Sequence, residues 1–163
     1  MQKMTEHLDL CENFSDIFDI VKRSTEHSLK QSRAGLMLYL ARLPNHVSAF
    51  HPLGSNGIVM NRTVLDAVTR GGHSLREINS YVYSLLLQEY LHALGYVDEE
   101  MVRKLVHQVS LETFGADHPA TRIAAKSPIP IFDIHLDLKN IQPTMKDFEV
   151  VPDLEKSARR YIR

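Results

Sequence analysis

The run Gln88-Glu89-Tyr90-Leu91-His92 holds the residue types with the most chemistry in this chain. On a helix, positions one turn apart point the same way. A His-Glu-x-x-His pattern therefore lets two imidazoles hold one metal while the intervening Glu reaches a metal-bound water. Here the Glu and the second His stand in place, and Gln88 occupies the position of the first ligand. A zinc ion that activates water needs three protein donors and one open position. Gln88 offers only a neutral amide oxygen, a weaker donor than imidazole, so zinc binding is expected to be weak or absent.

Three residues are candidates for the third donor. Glu112 falls on the Leu105 and Val109 side of a helix expected over residues 99–114, which turns its carboxylate toward the interior, where it would need a partner. Asp98 follows His92 by six positions with Gly95 between them, a spacing suited to a metal ligand after a sharp turn, although helix capping accounts for Asp98 equally well. His118 stands beside Pro119 at an expected helix start, where a side chain can project into a cleft. Glu112 ranks first, Asp98 second and His118 third. The remaining histidines, among them His51 and His107, are expected to be solvated or singly hydrogen-bonded.

The elements that must position these groups follow from local signals. Ser74 and Glu77 have capping-box spacing, and Ile78, Val82, Leu85, Leu86, Glu89 and Ala93 recur at helical steps until Gly95 offers an exit. The spacing predicts a helix over residues 74–95, roughly 30 Å long. Asp98 is placed to cap the second helix, whose apolar stripe is Val102, Leu105, Val106, Val109 and Thr113. Residues 12–33 read as an amphipathic helix, whereas the apolar run Gly35 to Ala41 fits either a helix or a buried strand. A turn-rich stretch after Pro44 leads into a short strand, Gly57 to Asn61, followed by a helix to Arg70. A short helix is expected through Ala125, strands at Ile134 to Leu138 and Phe148 to Val151, and a basic terminal helix from Asp153.

Composition limits the function classes. The 163 residues are 44% hydrophobic, enough for one domain with a core, read as a domain over residues 1–127 and a C-terminal extension over 128–163. A net charge of −1 from 19 basic and 20 acidic residues gives no nucleic-acid footprint and no polybasic membrane anchor. No apolar run approaches the roughly 20 residues of a membrane helix. The single Cys11 cannot form an internal disulfide, and no leader pattern precedes it, so a cytoplasmic location is expected.

Four stretches, Arg33 to Leu38, Gly54 to Asn61, Gln88 to Gly95 and Phe114 to Pro119, together resemble a small archaeal family of zincin-like metallopeptidases over about residues 30–125. The resemblance implies an α+β, minimal zincin-like fold of the gluzincin type, with a twisted sheet packed on a long active-site helix. It also implies a third ligand from a Glu on the second helix, a role that Glu112 fits. In such folds an edge strand pairs with an extended peptide, and Gly57, Ile58, Val59, Met60 and Asn61 match its position. The family carries His where Gln88 stands. The expected function is thus a metallopeptidase homologue with a degenerate QExxH site, non-catalytic or impaired, that binds an extended peptide; the alternative is an active zinc peptidase with Glu89 as general base. An open sheet edge is further expected to attract the C-terminal segment, which would take the substrate strand's place in cis.

Overall fold

In a computed structural model, residues 2–44, 46–126, 144–152 and 154–155 are described. Among them the chain is α+β, with six helices and one mixed sheet of four strands. The helices are α1 (Gln2–Asp9), α2 (Phe14–Leu29), α3 (Arg62–Arg70), α4 (Leu75–Ala93), α5 (Glu99–Phe114) and α6 (Pro119–Ala125). The strands are β1 (Met37–Arg42), β2 (Ala49–Phe50), β3 (Gly57–Asn61) and β4 (Thr144–Val151), arranged in the order β2-β3-β1-β4. The strand expected at residues 134–138 and most of the terminal helix lie outside the described residues.

Helix α4 is the centre of the molecule. Ser74 caps it, its hydroxyl accepting from the Glu77 N–H while the Glu77 carboxylate accepts from the Ser74 N–H, so two orphan donors are satisfied at the start. Its other end turns away at Gly95, whose φ of +112° is a conformation L side chains rarely adopt. Between these ends nearly every side chain is buried, because α1, α2, α5 and α6 pack around the helix and β2 and β3 meet its remaining face. Tyr83 and Tyr90 are fully buried yet keep polar partners: Tyr83 shares a hydrogen bond of 2.8 Å with Ser24, and the Tyr90 hydroxyl accepts from the Arg33 N–H.

The apolar run after Gly35 resolves as strand β1, parallel to β3 and antiparallel to β4. Its Leu38, Leu40 and Ala41 are buried, which accounts for the apolar character of the run. Strand β3 is likewise interior, with β1 on one side and β2 on the other, and buried throughout. The expected edge position of Gly57, Ile58, Val59, Met60 and Asn61 is therefore corrected: the two residues Ala49 and Phe50 form the edge instead. The physical reason is Asn61, whose buried amide donates to the carbonyls of Leu43, Pro44 and Val47 while its oxygen accepts from the Leu43 and Thr63 N–H groups. That cage folds the loop after β1 back so that Ser48 and β2 pair against β3.

Strand β4 covers the opposite side of the sheet, beside β1. Among the described residues, β4 thus does not take the place next to β3, and β2 ends the sheet on the other side. Among the described residues no helix is long and apolar enough to cross a membrane.

Candidate functional site

Helix α4 and the β2 hairpin face each other across a cleft of about 220 Å³. Ala49, Phe50, His51 and Leu53 line one wall, and Gln88, Glu89, His92, Val97 and Glu99 the other. Arg33 ties the two walls together, one guanidinium nitrogen donating to the Ala93 carbonyl at the end of α4 and another to the Ser55 carbonyl in the loop after β2. The cleft is polar at its floor and apolar at its rim: Leu53 and Val97 are 71% and 63% exposed.

The two histidines are held alike. A carbonyl oxygen can only accept, so the Nδ1 atoms that meet carbonyls must carry hydrogen. His92 donates from Nδ1 to the Tyr96 carbonyl at 2.8 Å, and His51 donates from Nδ1 to the Gly57 carbonyl at 2.7 Å. In each neutral ring the lone pair is then on Nε2. The His92 Nε2 lies 3.3 Å from Oε1 of Glu99. Glu89 is 2% exposed, and its only close polar neighbour on α4 is Gln88, whose amide donates to it at 3.3 Å. Burial above all, then the negative charge of Glu99, pushes the Glu89 carboxyl up to about 8, against the opposing pull of the Gln88 amide. At neutral pH it is predominantly the uncharged acid.

Of the residues expected to form the site, Gln88, Glu89 and His92 line this cleft and the others do not. Glu112 is exposed and accepts a hydrogen bond from the Ser28 hydroxyl of α2, so its expected inward orientation is corrected. At about 100° per residue, Glu112 sits on the flank of the buried stripe Val102, Val106, Val109 and Thr113 rather than within it. Asp98 caps α5, accepting from the Glu100 N–H at 2.9 Å. His118 is buried away from the cleft: its Nδ1 accepts from the Ala120 N–H at the start of α6, and its Nε2 donates to Asp9 at 3.0 Å. Burial holds the His118 imidazole below its usual range despite Asp9.

Two titratable lining residues, Glu99 and His51, were not singled out by the sequence. Glu99 stands three and seven positions before Val102 and Val106, at the margin of the buried face, with its side chain 64% exposed. That phase was the available signal. His51 lies in a turn-rich stretch without periodicity, and no local pattern marks it.

The donor set expected for zinc does not fit the ion. Glu112 is engaged with Ser28, Gln88 directs its amide at Glu89, and among the described residues no three His, Cys, Asp or Glu side chains are grouped to hold a metal. Comparison with known protein families, with curated proteins and with solved structures finds no match to this chain.

Proposed function

We propose that this protein is a zincin-like domain, related in descent to metallopeptidases, that has a degenerate QExxH site and binds an extended peptide without cleaving it. The observation that carries the reading is the pairing of an open sheet edge with the QExxH helix across one cleft. Residues in an antiparallel pair alternate between bonded and non-bonded positions. The Ser48 carbonyl accepts from the Asn61 N–H, which makes Ala49, opposite Met60, the non-bonded position. The N–H and C=O of Ala49 therefore point away from β3, where a peptide strand can take both. Exposed Phe50, Leu53 and Val97 offer apolar contact to its side chains.

The test is Ala49→Pro. Proline is tolerated on an edge strand and removes only the outward donor. Peptide binding should protect the Ala49 amide from hydrogen exchange in the natural chain and should fall by about tenfold in the variant, with the melting transition little changed. Undiminished binding by the proline variant would refute strand addition at β2.

A rival reading, an active zinc peptidase with Glu89 as general base, has one observation in its favour. The 3.3 Å between His92 Nε2 and Glu99 Oε1 matches the separation of about 3.3–3.4 Å between two donors on one tetrahedral zinc. Calorimetric zinc titration of the natural chain separates the readings, with stoichiometric tight binding deciding for the peptidase.

A further inference from the structure

The cleft is rich in acceptors and poor in donors. Its carboxyl groups are those of Glu89 and Glu99, and neither Lys nor Arg is among the residues that line it. His51 and His92 have spent their Nδ1 hydrogens on the Gly57 and Tyr96 carbonyls, and the His92 Nε2 lies 3.3 Å from Oε1 of Glu99, a contact that only a shared proton or a nearby cation makes favourable. The Gln88 amide nitrogen is directed at Glu89, which leaves its oxygen as the free end. A group that complements such a lining supplies donors and positive charge and brings no acceptor. Ammonium and guanidinium groups meet that description, with three and five donors and no lone pair.

We propose that the peptide segment laid along β2 carries a cationic nitrogen that enters the cleft between Glu89 and Glu99. The inference rests on the strand-addition reading and specifies its ligand. An extended strand bonded to Ala49 runs past the mouth of the cleft, and its side chains alternate between the two faces of the sheet. One of them can be directed at α4 while its neighbours on the strand meet solvent and the rim. The same chemistry could come from a Lys or Arg side chain or from a free amino terminus. In either case the cation favours the charged form of Glu89, which then releases its proton to solvent as the ion pair forms. Besides Gln88, the polar groups that share the cleft with Glu89 are His92 of α4, His51 of the hairpin and Glu99 of α5. Of these, Glu99 raises its proton affinity and the cation would reverse that effect.

The test uses the full chain and short Thr/Val peptides, acetylated and amidated, with Lys or norleucine at the centre, together with a norleucine peptide bearing a free amino terminus. Calorimetry at pH 7 in two buffers of different ionisation heat reads affinity and proton release together. The Lys peptide is expected to bind about tenfold or more tightly than its acetylated norleucine counterpart, with net proton release, and Glu99→Gln should remove most of that advantage. Tight binding of the free-amine norleucine peptide supports the same chemistry and assigns it to a chain terminus. If Lys and norleucine peptides bind equally, and both depend on Ala49, strand addition survives and the cation inference is overturned. If no peptide binds, both readings fall. Should Glu99→Gln fold poorly, Glu89→Gln with the same peptides replaces it: a reduced preference for Lys over norleucine upholds the inference, and an unchanged preference overturns it.

Discussion

Glu89 links the chemistry of the cleft to the stability of the protein. A carboxyl group with an ordinary value of 4.5 is held at about 8 by burial and by Glu99. Between those two values the folded chain keeps a proton that the unfolded chain has lost, so stability must fall as pH rises through this window. Below it both states are protonated and the penalty vanishes. Glu89→Gln removes the titrating group while keeping its shape. Urea unfolding at pH 5 and pH 8 should show the natural chain losing roughly 2–4 kcal/mol more than the variant between the two conditions. Parallel pH curves for the two proteins would mean that Glu89 is ionised in the fold. Glu99 teaches a related lesson about legibility. Its distance from the QExxH run hides its role, but its phase on α5 does not: about 100° per residue places it with Val102 and Val106, and Glu112 off to one side. Helical phase was the correct tool, and the stripe alone was too wide to discriminate between carboxylates at its margin.

At the scale of elements, five of the six described helices were legible, whereas α1 and the site-bearing hairpin were not. Ser74 with Glu77, and Asp98 with Gly115, mark the ends of α4 and α5 by hydrogen-bonding chemistry local to the sequence, and those bounds are observed. Strand β2 has two residues and no periodicity to read. It exists because Asn61, which also caps α3, gathers three carbonyls of the loop 14 to 18 positions before it. Such nonlocal contacts leave no trace in a propensity window. Asn61→Ala should strand those buried acceptors and cost about 2–3 kcal/mol. The diagnostic signature is local: exchange at the Asn61 amide, which donates to Ser48, should accelerate, and peptide affinity should drop with it, while the core of α4 stays protected. Intact protection at Asn61 would show that β2 holds itself.

For the molecule as a whole, the sheet has two sides and the chain treats them differently. The far side is closed by β4, whose Phe148 stacks on Tyr39 of β1 at 4.8 Å and whose Glu149 pairs with Arg62. Just beyond it Leu154 is buried, and the Glu155 carboxylate accepts from the Gly35 and Leu36 N–H groups while lying 3.8 Å from the Lys22 ammonium. Leu154 joins the hydrophobic core from this tail, whereas α4 is held by α1, α2, α5 and α6, so releasing the anchors should uncover β1 without unfolding α4. In a Leu154→Ala, Glu155→Ala double variant the lost burial alone amounts to about 2–3 kcal/mol. Amides of β1 and β4 should then exchange faster at unchanged protection of α4, and the freed β1 side should drive concentration-dependent association through its unpaired N–H and C=O groups. The natural chain, in which β4 keeps β1 covered, should associate less. If α4 loses protection together with β4, the tail belongs to the cooperative core, and β1 cannot be uncovered while the helices stay folded.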